Sequence, residues 1–283
     1  MVDFKGLIIR EPATQGEFDQ LTELQKEVWG FDDLEVAPAD LLSLHSFLGG
    51  VVLAAYDKSE TPIAFCYSFY GVEEGVHMHW SHMLAVLPDY RGIGLGKALK
   101  WEQRNIILSQ GVNICKWTFD PLEILNTRLN IVTLGTISNA YKINVYGESS
   151  GFIHAGLPTD RLVANWILDS ERVQAAYRGS PQKVVVDPSE IARVISTRRK
   201  DELFEPVKVN LDLNDQYLAC PVIHGVQHIK NDEPELALNW RMATREVFTH
   251  YFAKGYQLVD VKLRKETDEQ LALYILKWDE DEN

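Results

Sequence analysis

The residues of this chain best suited to chemistry are Arg91, Gly92, Gly94 and Gly96. They lie between an apolar run, Met83 to Leu87, and a helical pattern that stops at Gly111. Glycine has no Cβ, so the backbone of such a turn can approach a ligand closely. At a helix start the unpaired N–H groups and the positive end of the dipole both favour an anion. Strand, glycine turn and helix start together predict a phosphate cradle. The two best-known cradles fail on inspection. A dinucleotide fingerprint needs a third glycine, but Lys97 stands three residues after Gly94 and Leu99 three after Gly96. A P-loop needs glycine where Arg91 stands and Ser or Thr where Ala98 stands.

What fits is R-x-x-G-x-G, read as Arg91, Gly94 and Gly96, after a strand ending in Leu87-Pro88. This resembles the coenzyme A pyrophosphate loop of the GNAT acyltransferase superfamily. The elements that must position the loop agree with the resemblance. Leu7 to Arg10 reads as a strand closed by Glu11-Pro12. Phe18, Leu21, Leu24 and Val28 form a helical stripe stopped by Gly30, and Pro38 to Leu48 reads as a second helix before Gly49-Gly50. Val51 to Tyr56 and Ile63 to Tyr70 are strands joined by a polar turn, Ile114 to Phe119 is a strand, and Ile124 to Leu134 is helical. The order β-α-α-β-β-β-α-β-α is the GNAT order.

Further matches are T-F-D-P at Thr118 to Pro121, Leu134-Gly135, Tyr146-Gly147 and P-T-D-R-L at Pro158 to Leu162. They look like a bacterial subgroup of GNAT acyltransferases, some encoded beside N-acylamino-acid racemases. The resemblance covers roughly the first 170 residues well and the rest more loosely. It implies an α/β (α+β) fold with a mixed, mostly antiparallel central sheet flanked by helices. The domain expectation is a GNAT acyl-CoA-binding domain over 1–175 and a smaller α/β lobe over 180–283. In that lobe Pro234 to Lys254 is the clearest helix, with Leu236, Trp240, Ala243, Val247 and Tyr251 on one face. Asp187-Pro188 suggests another helix start, Val207 to Leu213 alternates as a strand, and strands follow at Leu258 to Leu263 and Leu271 to Trp278. The pairing of helix with strand echoes Leu95 to Phe119, as in a degenerate GNAT-like half. The acidic Asn231 to Glu233, which precede the helix, would repel a pyrophosphate.

The resemblance also assigns roles. Backbone N–H groups of Ile93, Gly94, Leu95, Gly96 and Lys97 would hold the pyrophosphate, with Gly92 in the turn and Arg91 adding charge. Pantetheine would pair like an added strand between Leu84, Ala85 and Val86 and the strand Ile114 to Phe119. A backbone N–H of Leu84 to Val86 would stabilise the oxyanion, worth about 3 kcal/mol per donor. Asn126 is a further coenzyme contact. Strict alternation puts Met78, Trp80, His82, Leu84 and Val86 on one face, so His82 becomes the candidate base. Many GNAT members protonate the leaving thiolate with a tyrosine of the helix after the fifth strand. Here that helix, ILNTRLNIVTLG, has none. Tyr141 and Tyr146 follow it, and Tyr146 is taken as the candidate acid.

The implied activity is direct transfer of an acetyl or succinyl group from coenzyme A to a small-molecule amine such as an amino acid. A non-catalytic acyl-CoA-binding module acting through a protein partner is the alternative, and another nucleotide-binding α/β enzyme is a weaker one. The 283 residues are 46% hydrophobic and 24% charged, enough for one large domain or two smaller ones. A net charge of −13 and a pI near 5.1 argue against a nucleic-acid surface. Cys66, Cys115 and Cys220 are far apart and form no C-x-x-C pair, which suggests a reducing compartment and no zinc site. His77 and His79 share a face but lack a third ligand at suitable spacing, so no metal is expected. The N-terminal residues show neither signal-peptide architecture nor a membrane-spanning run, so the expectation is a cytoplasmic protein with no membrane partner. Homodimers are frequent in the superfamily.

Overall fold

Val51 to Tyr56 is six apolar residues without alternation, the pattern of a strand covered on both faces. In the computed structural model, which describes residues 2–147, 156–263 and 271–279, all six are buried. Among the described residues the chain forms two compact units. One holds residues up to Trp117 with Trp166–Gln174. The other holds the stretch from Thr118 to Asn165 and everything from Ala175 onward.

In the first unit the elements run β1 (Val2–Phe4), β2 (Leu7–Arg10), α1 (Gln15–Trp29), α2 (Ala39–Phe47), β3 (Val51–Tyr56), β4 (Pro62–Glu73), β5 (Val76–Val86), α3 (Leu95–Ser109) and most of β6 (Ile114–Phe119). The sheet order is β1-β2-β3-β4-β5-β6, antiparallel throughout except for β5 against β6. The fold is thus mixed α/β on a mostly antiparallel sheet. The expected order holds, with β1 as an added hairpin strand. Each start and stop has a local cause. Thr14 caps α1, accepting from the Glu17 N–H at 3.3 Å, and Gly30 ends it in the left-handed region at φ 69°. Glu74 and Gly75, both at positive φ, make the two-residue hairpin that reverses β4 into β5.

One sheet face is covered by α1 and α2, whose Phe18, Leu21, Leu24 and Leu42 pack with Val52, Ala54, Phe65 and Tyr67. The other face carries α3, where the Cys66 thiol meets the Leu99 carbonyl at 3.8 Å. Lys100 of α3 is buried. Its ammonium donates to Ser81 Oγ at 2.9 Å and Gln103 Oε1 at 2.7 Å, and lies 3.8 Å from the Trp117 ring centroid.

The second unit contains α4 (Ile124–Arg128), β7 (Tyr141–Lys142), most of β8 (Arg161–Ile167), the end of α5 (Glu171–Tyr177), β9 (Ala192–Arg193), β10 (Ile195–Lys200), β11 (Leu203–Val209), β12 (Tyr217–Ile223), α6 (Val226–Asp232), α7 (Pro234–Ala253), β13 (Tyr256–Lys262) and β14 (Leu271–Trp278). Its four-stranded sheet runs β13-β14-β12-β9, and β10 pairs with β11. The face of α7 read from the sequence is buried. After α4 the chain continues as a π turn, Leu129–Thr133, closed by Leu134 N–H to the Leu129 carbonyl at 2.9 Å. The expected strand at Val207 to Leu213 forms earlier, as β11. The helix expected at Asp187 does not form. Asp187 Oδ1 instead accepts from the Ser189 N–H and hydroxyl, an Asx turn that competes with a helix. The segment from Thr118 to Asn165 belongs with the C-terminal residues: Ser138 and Leu258 exchange two backbone hydrogen bonds, and Arg128 donates to the Val261 carbonyl at 3.1 Å.

Candidate functional site

The loop after β5 has the shape its glycines suggest. A short 3₁₀ turn, Pro88–Tyr90, leads to Arg91, whose Nε donates to the Val86 carbonyl at 3.0 Å and ties the turn to the strand end. Gly92 and Gly94 have φ of 78° and 94°, values that favour glycine. Gly94 is the N-cap residue of α3, and no side chain caps that helix. The N–H groups of Leu95, Gly96 and Lys97 thus belong to an open first turn, with the dipole's positive end behind them. Arg91, Gly92, Ile93, Gly94 and Lys97 are exposed, whereas Leu95 is buried and anchors the helix. A Cβ built on Gly96 would meet Leu84 Cδ2 at 3.6 Å and Val86 Cγ2 at 3.7 Å, so this glycine faces the strand.

β5 pairs with β6 at His79↔Cys115 and Trp80↔Lys116. No ladder pair joins the two strands beyond Trp80 among the described residues. Leu84, Ala85 and Val86 remain paired to β4, opposite Cys66, Phe65 and Ala64. The far edge of this stretch is the kind of opening into which an extended ligand can insert as a strand.

His82 corrects one expectation. Alternation places it on the face of Leu84 and Val86. The ladder slips by one residue there: Tyr67 pairs with Met83, but the next residue, Ser68, pairs with Ser81. His82 is the extra residue of a β-bulge, and a bulge re-aims a side chain. Its ring lies on the α1–α2 face, 6.0 Å from the Tyr67 ring and 6.3 Å from Phe69, while Leu84 and Val86 lie on the α3 face. His45 of α2 completes the cluster. It stacks on Tyr67 at 5.6 Å, and its Nδ1 is hydrogen-bonded to the Tyr67 hydroxyl. His82 is exposed to solvent yet crowded by protein on its other sides. That desolvation, and then the like charge of His45, lower its pKa, so the imidazole is neutral near pH 7, with a nitrogen lone pair able to accept a proton. Burial pushes the Tyr67 phenol up to about 12. The sequence reading missed His45 and Tyr67; a histidine on an apolar helix and a tyrosine inside a strand carry no spacing signal.

Neither His77 nor His79 joins this cluster. His77 is hydrogen-bonded to the Tyr70 hydroxyl, and His79 is buried with Nδ1 3.1 Å from Ser68 Oγ. Among the described residues no group of three His, Cys, Asp or Glu side chains could hold a metal ion. The thiols are buried. Burial pushes Cys66 up to about 12 and Cys115 up to about 11, which leaves both protonated and poor nucleophiles.

Asn126 and Tyr146 belong to the second unit. Asn126 is exposed on α4, its Oδ1 accepting from Asn130 Nδ2 at 3.4 Å. Tyr146 is half-exposed, with the Arg161 guanidinium 5.0 Å from its ring centroid. Tyr141 donates its phenol to Asp160 at 2.8 Å, and burial together with that carboxylate raises its pKa far above the ordinary value. That makes Tyr141 a poor proton donor. No described helix is long and apolar enough to cross a membrane.

No protein-family model matches the chain, and no curated protein does. Solved structures do. One is the ribosomal-protein-S18-alanine N-acetyltransferase of Escherichia coli, 15% identical over 58% of this chain and 95% of that one, with a TM-score of 0.46. Ard1 of Thermoplasma volcanium is 14% identical over 57% and 97%, with a TM-score of 0.45. Arabidopsis thaliana Naa50, in complex with the bisubstrate analogue CoA-Ac-MVNAL, is 16% identical over 56% and 97%, with a TM-score of 0.43. Likenesses of this size are too slight to transfer an activity or an acceptor to this chain.

Proposed function

We propose that the chain is a GNAT-type acyltransferase that moves an acetyl or succinyl group from coenzyme A to a small-molecule amine such as an amino acid, by direct attack. The observation that carries this reading is the conjunction at the end of β5: an uncapped helix N-terminus behind Gly92 and Gly94, continuous with a strand edge that β6 has left. An anionic head and an extended amide-bearing arm are the ligand chemistry that such a pair accepts, and coenzyme A has both. In this reading the N–H groups of Ile93 to Lys97 hold pyrophosphate. A backbone N–H of Leu84 to Val86 polarises the thioester carbonyl and stabilises the tetrahedral oxyanion. Neutral His82 accepts the proton of the attacking amine. The tetrahedral intermediate then expels the thiolate, which takes up a proton, and Tyr146 is the proposed donor. Asn126 is a proposed coenzyme contact. Buried, protonated thiols favour this route over an acyl-cysteine intermediate.

Isothermal titration with acetyl-CoA, succinyl-CoA and free coenzyme A, followed by a thiol-release screen of amines with the acyl form that binds, tests the proposal. Saturable binding and amine-dependent release are expected. Failure of all three to bind would remove the reading of Arg91 to Gly96, and tight binding with no release for any amine would leave a non-catalytic acyl-CoA module.

A further inference from the structure

The T-F-D-P and P-T-D-R-L segments have no part in the loop chemistry, yet within the second unit they meet. Asp120 follows β6, its Oδ1 accepting from the Leu122 N–H at 2.8 Å. Asp160 precedes β8 and is fully enclosed. Arg245 of α7 grips it through two hydrogen bonds of 2.7 and 2.8 Å, and it also accepts from the Tyr141 phenol and the Asn144 N–H. Every oxygen of Asp160 is thus spoken for. Arg241 lies one helical turn before Arg245, on the same face of α7. It is 1% exposed, and its Nη2 donates to Asp120 at 2.7 Å, but among the described residues its Nε and Nη1 have no hydrogen-bond partner. Arg161 approaches Asp120 at 3.5 Å.

A buried guanidinium with two idle nitrogens is costly, because each donor has lost water and gained nothing. The Asp120 carboxylate meets only part of that demand. The idle nitrogens are themselves covered, but the rim of the cluster reaches solvent: the Asp120 and Arg245 side chains keep 15% and 21% of their surface, and half-exposed Tyr146 lies over Arg161. A planar anion suits an arginine held rigid in this way. We propose that Arg241 anchors a site for a small carboxylate in the second unit, Asp120 and α7 holding the guanidinium while its free N–H groups bind the anion. The inference extends the acyl-transfer reading. A carboxylate reaches such an enzyme either as the distal end of a succinyl donor or as the α-carboxylate of an amino-acid acceptor, and the chemistry at Arg241 is the same for both.

The first test needs neither coenzyme nor turnover. Sodium acetate and sodium succinate are titrated against the full chain at constant ionic strength, with chloride as reference, and followed by thermal unfolding and calorimetry. Saturable stabilisation beyond chloride is expected, weakened about tenfold in Arg241→Lys, which keeps the charge and loses the planar fork. No stabilisation of the wild type beyond chloride would overturn the site, with water on the two nitrogens as the explanation. Equal stabilisation of Arg241→Lys would overturn the role of Arg241. Should that variant unfold, Asp120→Asn with Arg241→Gln removes both charges together and must abolish the effect. Two further arms separate the sources. A donor site predicts that Arg241→Lys weakens succinyl-CoA and leaves acetyl-CoA unchanged. An acceptor site predicts a raised KM for an amino acid and an unchanged one for its decarboxylated amine. Loss of acetyl-CoA binding in the wild type would sink the acyl-transfer reading and leave the acetate result standing.

Discussion

Gly94 and Gly96 look equivalent in the sequence, and the structure predicts opposite behaviour for them. At Gly94 φ is 94°, a region where an added Cβ costs about 1–2 kcal/mol. Among the described residues, and apart from its own chain neighbours, that Cβ would meet Phe4 Cζ at 3.8 Å, ordinary van der Waals contact, so Gly94→Ala suffers from backbone conformation and not from a clash. Where that cost falls depends on the loop. If the loop keeps its shape in the free protein, unfolding free energy drops by about 1–2 kcal/mol and affinity is unchanged. If it relaxes, the same amount is lost from coenzyme binding, about tenfold per 1.4 kcal/mol. The two losses must sum to about 1–2 kcal/mol. Gly96 has ordinary φ, and its Cβ would meet Leu84 and Val86 at 3.6 and 3.7 Å, van der Waals contact with the strand. Gly96→Ala should therefore fold with unchanged or slightly higher stability, since alanine is the better helix former by up to about 1 kcal/mol, and should keep its coenzyme affinity. Urea melts give the first quantity and calorimetric titration of acetyl-CoA the second. A Gly94→Ala protein that loses neither stability nor affinity would refute the strain argument. A Gly96→Ala protein that loses more affinity than Gly94→Ala would show that Gly96 faces the ligand.

Three other outcomes are expected. The hydrogen bonds from Arg10 hold the Glu17 carboxyl down at about 2, against an ordinary 4.5. A depressed carboxylate contributes stability above pH 4.5 that fades as pH falls toward 2. The shift corresponds to roughly 3 kcal/mol, discounted to about 1–2 because the pair is a fifth exposed, so Glu17→Gln should cost that much at pH 7 and almost nothing at pH 2 in urea melts. At Gly50 a Cβ would stand 2.7 Å from the His45 carbonyl oxygen and 2.8 Å from that of Ser68. Both are backbone atoms, so Gly50→Ala should lose about 1–3 kcal/mol, and an unchanged urea midpoint would contradict the packing. A fragment ending at residue 175 strips Asp160 of Arg245 and Ser138 of Leu258. It should leave residues 118–165 unprotected in amide hydrogen exchange while the first unit still melts cooperatively, whereas a fragment protected throughout would support the expected domain break near 175–180.

Local pattern made the first unit legible. Its strands end in turn residues, its helices carry apolar stripes with glycine stops, and the loop glycines announce positive φ because few other residues tolerate it. What escaped was set by partners distant in sequence. Asp120 and Asp160 were visible as motif residues, but nothing near them shows that arginines more than eighty positions away complete them. Asp187 was misread because a helix-capping aspartate and an Asx turn begin alike, and the outcome depends on which backbone N–H groups the next residues leave free.

The bulge at His82 was the least legible feature, and the site's geometry turns on it. Without it, the ring would share a face with Leu84 and Val86, where α3 packs against the strand. With it, the imidazole moves to the Tyr67 and Phe69 face while Leu84 to Val86 beyond stay in register with β4, where the proposed coenzyme arm would pair. Deleting His82 outright is therefore more informative than replacing it. The deletion makes Ser81 and Met83 consecutive opposite Ser68 and Tyr67, which turns the bulge into regular ladder and preserves the face of every other strand residue. A protein built this way should fold, bind acetyl-CoA with wild-type affinity, and lose amine-dependent thiol release by about 10²–10⁴-fold, the range of general acid–base catalysis. His82→Gln should show a similar loss of rate. In the wild type kcat/KM should rise with pH and level off before neutrality, as the lowered imidazole pKa requires. If the deletion turned over at the wild-type rate, the proton would be leaving by another path and His82 would be only a kink in a strand.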